Sequence, residues 1–248
     1  MVDGEKNRAA TDFNHLFDKI GSNKIIQSLM NENRKRRAME TSLVYQFNAK
    51  AYDILELTYF RKKASSPRNA VISMLGNGSL NILDMCTGTG TNAIAIAKAN
   101  RNAKVIGIDI SKEMLTMAKQ KLEKDSTPNI EVYEMDAANM QFSKDKFDIV
   151  LISLVLHELS DELAGKMIAE AKRVLKPDGK LIVVEWEEPD SRLAKLAFYA
   201  IKKMEHQGFE DFLKLNMYDY FEKHSFQIAK IVHCDYSKVI TLLKKAKN

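Results

Sequence analysis

The chain holds 248 residues, 45% of them hydrophobic, and a net charge of +5, which suits one sizeable core with an appendage and requires no second full domain. Two cysteines, Cys86 and Cys234, exclude a disulfide framework and lack metal-ligand spacing, and no apolar run approaches the ~20 residues that cross a bilayer. The first residues, MVDGEKNRAA, contain no apolar signal region, so the expected location is cytoplasmic.

The charge is unevenly placed. Residues 1–78 contain 13 Lys and Arg against 8 Asp and Glu, whereas residues 79–248 contain 25 of each, so the whole excess lies in the N-terminal third. Its densest part is the run RKRR, Arg34 to Arg37, which is either a solvated helix face or a foothold for an anionic partner. Phe13, Leu16, Phe17 and Ile20, then Ile25, Ile26 and Leu29, follow a helical spacing interrupted near Gly21 and Ser22. A second helical pattern, rich in aromatics, runs from Met39 to Phe60 and ends in the basic patch Arg61 to Lys63. A short helix is predicted over Val71–Leu75, closed by Gly76, Asn77 and Gly78. Residues 1–78 thus read as a helical appendage to a main domain over 79–248.

From Ser79 onward strands and helices alternate, which predicts a doubly wound α/β sheet. The stretch NILDMCTGTGTNAIA, Asn81 to Ala95, organises it: a buried strand stops at Asp84, closely spaced glycines follow, and a helix opens from about Thr91. Gly88 and Gly90 let the backbone turn beside a ligand, and the helix N-terminus faces the same ligand. A second strand, KVIGID, ends in Asp109, placed 25 residues after Asp84, where an acid can accept from ribose hydroxyls. Ser111 is a good N-cap for the helix to Lys124, a third strand over 129–135 leads into Asp136, and FDIVLIS, Phe147 to Ser153, is apolar enough to be covered on both faces. A helix over 161–175, the turn KPDG and a strand over 180–186 come next, giving strand and helix repeated five times. Helical patterns over 191–207 and 208–223 form an insertion spanning about 189–223. The last two strands, 226–233 and 237–243, lie so close that they form a hairpin.

The G-x-G-x-x-G dinucleotide fingerprint is absent. Asp84 followed by Cys86, Gly88 and Gly90 at spacing two resembles motif I of the class I S-adenosylmethionine-dependent methyltransferases, whose common form has glycine at all three positions. With FDIVLISLVLHEL and RVLKPDGKLIVVE, the likeness runs from Leu80 to the C-terminus and is greatest to the branch containing the ubiquinone and menaquinone biosynthesis methyltransferases. It implies a Rossmann-like seven-stranded sheet whose last strand is antiparallel, capped by an N-terminal helical lid. It also implies S-adenosyl-L-methionine as cofactor, with S-adenosyl-L-homocysteine as product.

By residue matches, the resemblance assigns Asp84, Cys86, Gly88 and Gly90 to the loop around the methionine portion, Asp109 with Ile110 to the ribose, and Asp136 with Ala137 to adenine. Met114 packs on the ring, Ser153 lies beside the methyl group, and Tyr45, Tyr52, Arg61 and Trp186 belong to lid and acceptor. His157 is the candidate general base, since an imidazole titrates near neutrality; pocket lining or helix capping are the alternatives. HELSD is not H-E-x-x-H, so zinc is not implied. Glu185, Glu187, Glu188 and Asp190 either form a solvated loop, orient a cationic substrate or hold Mg²⁺. Phe198, Tyr199, Phe209, Phe212, Met217, Tyr218 and Tyr220 are read as acceptor-pocket lining or as core.

The expected activity is methyl transfer to a small organic acceptor by a monomer or homodimer that binds neither nucleic acid nor metal. The rivals are a tRNA or rRNA methyltransferase that uses RKRR, and a binding protein on a degenerate methyltransferase fold.

Overall fold

Strand order reverses beside the first strand, and that reversal positions everything that follows. The computed structural model describes residues 66–204 and 208–245. Helix α1 (Pro67–Met74) precedes β1 (Asn81–Met85), α2 (Thr91–Ala99), β2 (Lys104–Asp109), α3 (Lys112–Asp125), β3 (Ile130–Glu134) and β4 (Phe147–Ser153). After a 3₁₀ turn (Leu156–Glu158) come α4 (Asp161–Val174), β5 (Leu175–Trp186), α5 (Arg192–Met204), α6 (Phe209–Leu213), α7 (Met217–Glu222), β6 (Phe226–His233) and β7 (Ser237–Lys244). The seven strands form one sheet in the order β3-β2-β1-β4-β5-β7-β6. β7 runs opposite to the other six strands. This is the seven-stranded architecture expected above.

Period-two alternation sorts each central strand between two cores. On one face Leu83, Met85, Val150, Ile152, Leu181 and Val183 meet α4 and the aromatic side chains of α6 and α7. On the other, Ile82, Ile149, Leu151, Ile182 and Val184 meet Val71 and Leu75 from the α1 end and Ala93, Ile96 and Ala97 of α2. The helix preceding β1 is therefore a working part of the sheet's cover, and it begins at Pro67, earlier than its apolar pattern indicates.

Three expectations need correction. Among the described residues no helix lies between β3 and β4. The connecting chain is instead held by Arg173, whose guanidinium donates to the Met140 and Phe142 carbonyls at 2.9 and 2.7 Å, while Glu170 accepts from the Met140 N–H at 2.7 Å. The pattern over 208–223 breaks into α6 and α7, because Asn216 caps the second helix by accepting from the Tyr218 N–H at 3.0 Å. The helix α4 stops at Val174 and β5 begins at Leu175, which pairs with Phe147, so the KPDG turn is an irregularity within the strand and does not precede it. The N-terminal patterns, RKRR among them, lie outside the described residues.

Arg173→Ala removes charged donors from two carbonyls that have no helix to satisfy them. Urea denaturation should show a loss of about 2 kcal/mol, and an unchanged midpoint would mean that the connection holds itself.

Candidate cofactor and active site

The loop after β1 is held by its own side chains and by the end of β2. Thr87 donates its hydroxyl to Asp84 Oδ2 at 2.6 Å and its N–H to the Ile108 carbonyl at 2.8 Å. Its side chain fills the space above Gly107, where an added Cβ would lie 2.9 Å from Thr87 Oγ1. Asp109 spans two loops, accepting from the Gly88 N–H through Oδ2 and from the Ser111 N–H through Oδ1, both at 2.9 Å. From α3, Lys121 donates to the Thr89 and Thr91 hydroxyls at 2.7 and 2.9 Å.

Cys86, Gly88 and Gly90 have φ of 56°, 56° and 75°. The left-handed turn that glycine would make freely is made at Cys86 by a residue with a Cβ, at a strain of roughly 1–2 kcal/mol. Its sulfur lies 3.9 Å from Met167 Sδ in the core. Burial, then the nearby Asp109, Asp84, Glu158 and Asp136 charges, push its thiol up to about 12, so it stays protonated and is no nucleophile. At Gly88 an added Cβ would meet nothing within 4 Å, which leaves the backbone open to close approach by a ligand.

Asp109 ends β2, Asp136 lies two residues beyond β3, and the buried Asp84 stands one residue before the end of β1, which runs on to Met85. Asp136 is exposed and accepts from the Ala138 N–H at 2.8 Å, and Ala137 is buried. Ile110, next to Asp109, is 73% exposed, an unusual setting for a large apolar side chain that suits stacking on a planar ligand. Met114, half-buried, sits in the first turn of α3, which is capped by Ser111 at 3.2 Å.

At the end of β4, Ser153 accepts from Asn92 at 3.2 Å and Leu154 adopts φ 54°. The chain then turns through Leu156–Glu158. Glu185 pins this turn: Oε1 accepts from the Leu156 N–H at 2.8 Å, and Oε2 lies 2.7 Å from His157 Nδ1, both side chains being fully buried. On the other side of the ring Glu158 Oε1 lies 4.0 Å from Nε2, so a carboxylate faces each ring nitrogen. The His157 ring meets Phe209 edge-on at 5.3 Å. The sequence shows Glu185 as the acid near the end of an apolar strand and as part of an acidic patch, and gives no sign of its pairing with His157.

Other assigned residues fall elsewhere. Trp186 is 2% exposed, packed with Phe198 and Phe209. Phe198, Phe209, Phe212, Met217 and Tyr220 are likewise buried, closing the insertion onto the sheet, while Tyr199 and Tyr218 are exposed. Glu187 pairs with His233 at 2.7 Å, and Glu188 with Lys202 at 3.0 Å. Among the described residues no cluster is fit to hold a metal ion. Tyr45, Tyr52 and Arg61 lie outside the described residues.

Residues 82–179 match the family model described as a methyltransferase domain. The demethylmenaquinone methyltransferase of Lactococcus lactis is 38% identical over 120 residues, 48% of this chain and 47% of that protein. The match thus spans about half the length of such curated relatives. A SAM-dependent methyltransferase from Aquifex aeolicus superposes with a TM-score of 0.61 at 21% identity, covering 79% of this chain and 96% of that one. The fold is that of the class I S-adenosylmethionine-dependent methyltransferases. The magnesium protoporphyrin IX methyltransferase of Synechocystis, solved with bound S-adenosylhomocysteine, shares it with a TM-score of 0.56 at 22% identity, over 75% of this chain and 85% of that one. Over the matched segment, this chain resembles the demethylmenaquinone methyltransferases.

Burial raises the Asp84 carboxyl from 3.8 to about 7, with Thr87 opposing the rise and Asp109 adding to it. The native state therefore binds this proton more tightly than the unfolded chain, and the stability it contributes falls as pH rises from about 4 to 7. Asp84→Asn keeps an acceptor for Thr87 and removes the titration. Its melting temperature relative to wild type should climb by roughly 5 °C or more between pH 4.5 and 8. A pH-independent difference would place the charge elsewhere.

Proposed function

We propose that this chain transfers a methyl group from S-adenosylmethionine to a small organic acceptor. The observation that carries the reading is the Asp109 bridge: it holds the Gly88 backbone open toward the strand ends and retains carboxylate lone pairs for two ribose hydroxyls. Ile110 and Met114 offer apolar surface to the adenine, with Asp136 and Ala137 at its edge. Cys86, Gly90 and Ser153 border the methionine portion, and Asp84 stiffens the loop beneath it. When bound, the cofactor supplies a methyl group already activated on sulfonium, so the protein's work is alignment and exclusion of water.

His157 is the base of this scheme, taking the acceptor's proton at Nε2 while Glu185 holds Nδ1 and stabilises the imidazolium. Phe209 and Phe212 of α6 cover the ring, so the acceptor reaches it as this short helix gives way. Complete burial also supports a second role, in which the pair only pins the turn after β4. The named relatives favour an aromatic, quinol-like acceptor. Trp186, buried with Phe198 and Phe209, packs beneath the insertion; Tyr45, Tyr52 and Arg61 are assigned to a lid over the acceptor. Among the described residues no helix is long and apolar enough to cross a membrane, and the proposed setting is the cytoplasm, as monomer or homodimer.

Turnover with methyl-labelled S-adenosylmethionine and a panel of hydroquinones tests this directly. His157→Ala should lower kcat by about 10²-fold or more and abolish the acid limb of the pH profile, with S-adenosylhomocysteine affinity unchanged. A variant that loses only thermal stability would assign the pair to structure.

A further inference from the structure

The outer face of α5 presents apolar side chains to solvent. Leu196 is 73% exposed and Tyr199 57%, and with the exposed Arg192 they stand at i, i+4 and i+7, on one face of the helix. The inner face is anchored: Phe198 is fully buried, its ring 6.2 Å from those of Trp186 at the end of β5 and Phe209 of α6.

The same helix is basic. It contains Arg192, Lys195, Lys202 and Lys203 and no acidic residue. Glu188, just before it, pairs with Lys202 at 3.0 Å and with Lys195 at 3.7 Å, and Asp190 is exposed two residues on. Four cations against two acids leave residues 188–204 positively charged.

Exposed Leu and Tyr among cations select their occupant. Residues 1–78 carry the chain's own positive excess, and a second copy would present the same cations, so charge opposes both. A nucleic acid satisfies the cations but gives Leu196 no apolar partner. A bilayer containing anionic phospholipid satisfies both, its headgroups taking the charge and its acyl boundary taking Leu196 and the Tyr199 ring. At 13 residues, α5 is short of the ~20 that cross a bilayer, so it lies in the interface plane.

We infer that α5 docks this protein on an anionic bilayer surface. Phe209, against the inner face of α5, also meets the His157 ring. Resting on the acceptor reading above, the docked helix therefore borders the acceptor side and faces the phase from which an apolar quinol-like molecule enters.

The test is sedimentation of the full chain with phosphatidylcholine vesicles, with and without phosphatidylglycerol. Wild type should bind the mixed vesicles at least about 10-fold more tightly than phosphatidylcholine alone, and added salt should remove the difference. Leu196→Glu and Arg192→Glu should each weaken binding to mixed vesicles about 5-fold or more, with thermal transition and S-adenosylhomocysteine affinity unchanged. Wild type that stays in the supernatant, equal binding to both vesicles, or variants that bind as wild type does would overturn the inference, the last by moving the membrane contact to another segment. A dimer that Leu196→Glu dissociates would assign the face to a second copy and overturn it likewise. Vesicle binding without turnover of any hydroquinone would overturn the proposed activity and leave the docking surface standing.

Discussion

Two hydrogen bonds to one carboxylate hold the candidate site in shape. Asp109 ends β2, yet it accepts from the backbone on both sides of the crevice, from Gly88 after β1 and from Ser111 at the start of α3. Together with Thr87 and Lys121 it restrains a loop with three left-handed positions at spacing two. The sheet order supplies the rest of the constraint. Because β1 pairs with β2 on one side and β4 on the other, the loops after these strands diverge to opposite faces and leave a crevice at their ends.

The two sides of that crevice differ in chemistry. The β1–β2 side is backbone and carboxylate, suited to a ribose and a cationic sulfonium. The β4–β5 side is an aromatic mass in which Glu185 and His157 are enclosed, pinned to the turn that follows β4. The strain sits where the two sides meet, at Cys86 and Leu154, both non-glycine residues with positive φ. Strain of this kind persists only where neighbours over-determine the backbone, and here the neighbours are the core behind Cys86 and the Val184 carbonyl that accepts from the Leu154 N–H at 2.8 Å.

The strand ends were legible in the sequence because a parallel strand covered on both faces reads as a continuous apolar run, and Asp84 and Asp109 each interrupt one. The N-cap at Ser111 was legible for the same local reason. What sequence order hid was tertiary. The pairing of Leu175 with Phe147 makes KPDG part of a strand, and nothing local announces it. The stretch between β3 and β4 falls under the expected strand–helix alternation, yet Arg173 and Glu170, distant in sequence, hold it through Met140 and Phe142. His157 and Glu185 stand 28 residues apart and meet only because β4 and β5 are neighbours. An apolar stripe such as Phe198, Phe209 and Phe212 looks the same whether it faces a ligand or a core, and burial settles where these rings pack.

Titration calorimetry with S-adenosylhomocysteine measures most directly whether the Asp109 crevice is a cofactor site. Wild type should bind with a Kd of about micromolar order. Asp109→Ala, confirmed as folded by its thermal transition, should bind at least ~100-fold more weakly, because it loses both the proposed ribose acceptors and the tether on Gly88. Wild type that fails to bind, or a folded Asp109→Ala with wild-type affinity, would contradict the account.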